Sequence, residues 1–163
     1  MTAHLFWGRA RWFVAGGWLA LHLAASATPA LSFHADDAYS GAELMIAGAF
    51  AVFEGQLGWY ANLVVPAAVG LLIARRYRAA AVCAAVALLI ALDTLWLFRH
   101  PVPLDEGGSP YLLHALGIGF YLWVGGMVLL LVASVAAHVS TRGAVGPVRQ
   151  RPAPPGGVGP RSR

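Results

Sequence analysis

The chain is predicted to be an all-α polytopic membrane protein, a compact four-transmembrane-helix up-down bundle with an extra outer or interfacial helix. Three observations lead there. Of 163 residues 59% are hydrophobic and 11% charged, with mean hydropathy +0.67, too little polar surface to cover a soluble globule. The apolar residues gather into runs long enough to cross a hydrocarbon core. The charges between the runs segregate by sign. Arg9, Arg11, Arg75, Arg76, Arg78, Arg142, Arg149, Arg151, Arg161 and Arg163 fall on one side. Asp36, Asp37, Glu43, Glu54, Asp105 and Glu106, accompanied only by Arg99, fall on the other. The positive-inside preference assigns the arginine side, and with it both termini, to the cytoplasm. Every basic side chain is arginine, in a chain rich in alanine and glycine, which is the bias of a GC-rich bacterial genome and points to an inner membrane.

The elements follow in order. Residues 1–11 form a cytoplasmic N-terminus and 12–33 the first span, interrupted by His22, Ser26, Thr28, Pro29 and Ser32. A secretory signal is the rival reading, with Ala25-Ser26-Ala27 as its cleavage site. Apolar Ala30, Leu31 and Phe33 beyond that point favour an uncleaved anchor. Residues 41–73 would extend about 50 Å as one helix at 1.5 Å per residue, more than one crossing needs. The polar, glycine-bearing segment Glu54-Gly55-Gln56-Leu57-Gly58 is the expected break. It separates an outer helix over 41–53 from a second span over 57–74, which Pro66 is free to kink. The third span, 79–98, follows the arginine hairpin and is broken only by Asp93 and Thr94. The fourth, 111–137, follows a loop bounded by Pro101 and Pro110. Residues 139–163 alternate glycine, proline and arginine and read as a disordered basic cytoplasmic tail able to attract anionic lipid headgroups.

Two small-residue stripes offer packing surfaces: Ala79, Cys83, Ala87 and Ala91 on the third span, and Gly117 and Gly125 flanking Tyr121 on the fourth. Packing within the chain is the favoured use, with a homo-oligomer or another membrane protein as the alternative. Asp93 shares its predicted face with Val82, Val86 and Leu89, away from the alanine stripe, so either bulky residues line the bundle core or the alanines face a partner.

A carboxylate at a helix centre costs about 2.5–3.5 kcal/mol on insertion scales, so Asp93 needs water or a partner. His114 and Asn62 are expected at a similar depth, with Glu54 and Gln56 approaching from the broken segment. Asp93, His114, Asn62, Glu54 and Gln56 therefore form the candidate polar cluster: a proton or ion relay, a pocket for a small polar ligand, or a set of interhelical hydrogen bonds. No catalytic residue is assigned. No cofactor is expected: His22 and His114 differ in depth by about 10 Å, which two axial haem ligands do not tolerate. Zinc lacks the paired cysteines or short His/Glu spacing it favours, and the single Cys83 forms no intrachain disulfide. Nucleic acid is not an expected partner, because the arginines flank apolar spans instead of forming a stripe.

The stretch Gly55-Gln56-Leu57-Gly58-Trp59-Tyr60-Ala61-Asn62, followed by an apolar span and Arg75-Arg76-Tyr77-Arg78, resembles small uncharacterised four-helix bacterial inner-membrane proteins. That resemblance covers about a quarter of the chain and implies four spans without implying an activity. The expected function is a non-enzymatic accessory or scaffold role in the membrane. The alternatives are a small transporter or channel component using the polar cluster, and a membrane enzyme or cofactor carrier.

Overall fold

The computed structural model describes residues 3–33, 38–103 and 110–143. Asp36, Asp37, Asp105, Glu106 and the tail from 144 onward lie outside the described residues. Five α-helices dominate: α1 (Ala3–Ser26), α2 (Gly41–Ala47), α3 (Ala61–Ile73), α4 (Tyr77–Leu92) and α5 (Ile118–Gly143). The fold is all-α apart from short strands at one end. There β1 (Pro29–Ser32) lies between β2 (Ala38–Ser40) and β5 (Ala115–Leu116), antiparallel to both, while β3 (Val102–Pro103) pairs with β4 (Pro110–Tyr111).

Among the described residues two helical stretches are long and apolar enough to cross a membrane: Tyr77–Phe98, 22 residues, and Ile118–Gly143, 26 residues. The first is α4 continued by a 3-10 helix over Asp93–Phe98. Helix α1 has 24 residues but carries Arg9, Arg11 and His22 within its length. The apolar stretch Gly58–Ile73 is shorter.

Boundaries differ from the sequence expectation at both outer spans. Helix α1 starts at Ala3, well before residue 12, and stops at Ser26, so 29–32 is strand. Pro29 explains the stop, since it has no N–H to continue the helix and disfavours helical backbone at Thr28. Helix α5 begins at Ile118, not 111, and runs to Gly143, so 139–143 belongs to the helix and not to a tail. His114 therefore sits on extended chain, its backbone N–H donating to Ser32 O at 2.7 Å, and shares no helical face with Gly125. Gly117 and Gly119 lie where an added Cβ would collide with the carbonyls of Pro29 and Thr28, which lets the sheet and the start of α5 close on each other.

Helix α1 packs along α5, α5 along α4, and α4 along α3. The contact face of α4 is Tyr77, Ala80, Ala84, Ala87 and Ala91, all buried, against Met127, Leu130 and Ala137 of α5 and Ala61, Val65, Ala68 and Leu72 of α3. The expected stripe is met in its second half, Ala87 and Ala91, whereas Ala80 and Ala84 take the places expected for Ala79, which is exposed, and Cys83, which is half-buried; Val82, Val86 and Leu89 point outward. Bulky side chains on the outer face and alanines on the inner one allow close helix approach, the arrangement that pays in lipid, where apolar burial alone gives no association.

The ends of the helices are tied by named bonds. Arg11 Nη1 donates to Ile73 O at 2.7 Å, placing a cation on the last carbonyls of α3. The turn after α3 is a Schellman closure, with Arg76 N–H on Leu71 O and Arg75 N–H on Leu72 O. Arg75 takes the left-handed position at φ +61°, where glycine is the usual residue. Arg11, Arg75, Arg76 and Arg78 thus gather at one end with the C-terminal turns of α5, while Glu54, Asp93 and Arg99 lie at the other.

Candidate functional site

At the carboxylate-bearing end, the chain between β2 and α3 folds back over the helices. Ser40 and Glu43 form a reciprocal cap that starts α2: Ser40 Oγ accepts from Glu43 N–H, and Glu43 Oε2 accepts from Ser40 N–H at 2.7 Å. These bonds hold the Glu43 carboxyl below its usual range. Helix α2 runs into a 3-10 helix over Gly48–Glu54, so the expected outer helix over 41–53 is present as two joined helical types. Gly55 stops it at φ +77°. Trp59 Nε1 donates to Met45 O at 2.9 Å and Tyr60 OH to Ala49 O at 3.3 Å, tying this segment to the entrance of α3. Gly48 lies directly on the Trp59 ring, with no room for a Cβ.

The folded-back segment roofs a cavity of about 500 Å³. Its walls come from the last turns of α1 (His22, Ser26), from β1, from the start of α3 (Asn62), from the 3-10 helix after α4 (Thr94, Leu97) and from the start of α5 (Phe120, Trp123). Most of the lining is apolar. Cavities that hold small molecules combine such walls with a few polar groups.

The polar groups are specific. Gln56 is 6% exposed, lines the cavity, and its carboxamide makes no hydrogen bond among the described residues. Thr94, 9% exposed, stands beside it with its Oγ1 against Gly58, where an added Cβ would not fit. Asn62 Oδ1 accepts from Trp123 Nε1 at 2.8 Å, a bond between α3 and α5 that leaves the Asn62 amide hydrogens for another acceptor. His22 stacks on Trp18 with ring centroids 5.4 Å apart. Among the described residues, Glu54, exposed at the end of the roof, is the only carboxylate in the lining, and no arginine contributes to it.

The five sequence candidates divide. Glu54, Gln56 and Asn62 line one cavity. Asp93 does not: its Oδ2 accepts from Leu57 N–H at 2.6 Å, so it caps the chain where it enters the Gly58–Ile73 helical stretch. His114 is exposed and on the strand side. Asp93 and His114 therefore do not share a hydrogen bond or the cavity wall. Sequence reasoning missed Thr94, His22, Trp59 and Trp123 as cavity residues. Thr94 was detectable only as the neighbour of Asp93, and nothing in the sequence marks Trp59 or Trp123 as cavity residues, because their N–H partners, Met45 O and Asn62 Oδ1, are distant in sequence.

Among the described residues no group of three or more His, Cys, Asp or Glu side chains is placed to hold a metal ion. Comparison with protein-family models, curated proteins and solved structures finds no match for this chain.

Proposed function

We propose that this is a non-catalytic integral protein of the bacterial inner membrane, crossing it four times with both termini in the cytoplasm, and that it exercises an accessory role by holding a small neutral or cationic amphiphile in the outer cavity. The four crossings would be α1, the Gly58–Ile73 stretch, the Tyr77–Phe98 stretch and α5. Segregation of the arginines to one helix end and of Glu54 and Asp93 to the other supports the orientation. Ile46, Phe50 and Phe53, exposed at 79%, 69% and 83%, give the roof an outward apolar face suited to the outer interface.

The observation that carries the binding role is Gln56, a largely enclosed residue that lines a mostly apolar cavity and whose carboxamide has no hydrogen-bond partner among the described residues. The carboxamide opens on the cavity, and a hydrogen bond from a ligand in place of water contributes about 0.5–1.5 kcal/mol net. Among the described residues no arginine lines the cavity, and Glu54 at the rim favours a neutral or positive head over an anionic one. A relay through Asp93 and His114 draws no support from this geometry, because one carboxylate oxygen is engaged by Leu57 N–H and the imidazole lies elsewhere.

The test is native mass spectrometry of the protein released from nanodiscs after exposure to decanol, decylamine or decanoate at equal concentration. Decanol or decylamine should be retained and decanoate not. Ala51→Trp, which fills the cavity, should abolish retention, and Gln56→Leu should weaken it about tenfold, one hydrogen bond's worth. Equal retention of all three, or of none, refutes the binding role.

A further inference from the structure

The arginine-bearing end carries a second concavity with the opposite chemistry. An open groove of about 570 Å³ lies between the α3–α4 turn and the last turns of α5, lined by Arg75, Arg76, Arg78, His138, Thr141 and, on its apolar wall, Val82. All three guanidinium groups are exposed and none has a carboxylate partner among the described residues. The described carboxylates near helix ends, Glu54 and Asp93, belong to the opposite end. Three exposed cations around one groove attract an anion.

The groove also has the shape of a lipid site. Its floor passes from the charged turn onto Ala79 and Val82, the latter 56% exposed, and the outward face of α4 continues through Val86 and Leu89. A headgroup at the arginines would leave an acyl chain lying on this row. The Thr141 hydroxyl already donates to Ala137 O at 2.8 Å, so it contributes wall and acceptor, not a donor. His138 adds an imidazole N–H. Arg75 occupies its position at φ +61° against the preference of its own backbone, so a cation stands where glycine would fit with less strain.

We infer that this groove binds one anionic glycerophospholipid, its phosphate held by Arg75, Arg76 and Arg78 and its acyl chain along Val82. The inference uses the membrane embedding proposed above but not the outer cavity. Basic pockets between membrane helices on the cytoplasmic side are suited to such headgroups.

The full chain in nanodiscs made from an equal mixture of phosphatidylcholine and phosphatidylglycerol tests it, with the lipids that remain bound after release identified by native mass spectrometry. Wild-type protein should retain phosphatidylglycerol preferentially. The triple substitution Arg75→Gln, Arg76→Gln, Arg78→Gln should weaken retention roughly 100-fold, given about 1 kcal/mol per arginine near a headgroup. Val82→Trp blocks the apolar wall while keeping every charge and the positive-inside signal, and should lose the preference as well. Millimolar inorganic phosphate should not compete. Equal retention in wild type and Val82→Trp overturns the inference, as does displacement by phosphate, which would make the site one for a free anion. Wild-type protein that fails to enter nanodiscs overturns the embedding itself, whereas entry without lipid preference overturns only this site.

Discussion

Asp93 offers the sharpest test of how this molecule uses its polar groups. Its carboxylate accepts a 2.6 Å bond from Leu57 N–H, 36 residues earlier, at the entrance of the Gly58–Ile73 helical stretch. The bond is charge-assisted, and the carboxylate also faces the positive end of the helix dipole. Loss of a side-chain cap costs about 0.5–2 kcal/mol, and the dipole interaction adds about 0.3–1 kcal/mol. Asp93 is half-buried, so water replaces part of what is lost. Asp93→Ala should therefore destabilise by about 1–2 kcal/mol, and Asp93→Asn, whose amide oxygen still accepts, by about half as much. Unfolding in mixed micelles, followed by tryptophan fluorescence, measures the loss. Hydrogen exchange should localise it to the amides from Leu57 to Tyr60. Retention of decanol should survive in Asp93→Asn. If Asp93→Asn abolished ligand retention while leaving stability intact, or if Asp93→Ala cost nothing, the capping role would be wrong and the carboxylate would belong to the site's chemistry.

Three further outcomes are expected. Arg75→Gly should exceed Arg75→Ala in stability by about 1 kcal/mol in the same micelle assay, because only glycine occupies φ +61° freely, and equality would remove the strain argument. Ser134, 1% exposed on α5, has an Oγ without a hydrogen bond, so Ser134→Ala should stabilise by about 1 kcal/mol, and a fall in unfolding midpoint would show that the hydroxyl has a partner. The Glu43 carboxyl is lowered by its bonds to Ser40 N–H and Oγ, so its contribution to capping α2 is complete above the unfolded-state value and disappears as pH falls through the lower folded value. Amide exchange across α2 at stepped pH should then accelerate on acidification in wild type and lack that step in Glu43→Gln.

Several local features were legible because they follow from residue chemistry alone. Glu54-Gly55-Gln56-Leu57-Gly58 combines polar side chains with two glycines, and the helix does break there, with Gly55 in the left-handed region. The third apolar run, 79–98, lies within the observed Tyr77–Phe98 stretch because nothing in it except Asp93 and Thr94 opposes helix. Ala87 and Ala91 of its small-residue stripe are buried as expected, but which alanine of the first turns joins them was not legible. Ala79, Ala80 and Ala81 are equivalent as letters, and Ala80 is the buried one because Ala84, Ala87 and Ala91 must meet α5 and α3 together.

The cluster of five polar residues was drawn from depth along assumed helices, and depth is only one of three coordinates. Asn62, Gln56 and Glu54 reached a common wall, whereas His114 lost its assumed position once 111–117 became extended chain. Composition and hydropathy order, read along the chain, determined an apolar, mostly helical protein, since hydropathy is a property of each residue wherever it lies. Only the tertiary structure decided that Asp93 caps a distant helix, that a roof over Gln56 and Thr94 makes a cavity, and that three arginines border a groove on α5. Those facts depend on distances between segments far apart in sequence, which packing sets and no local pattern contains.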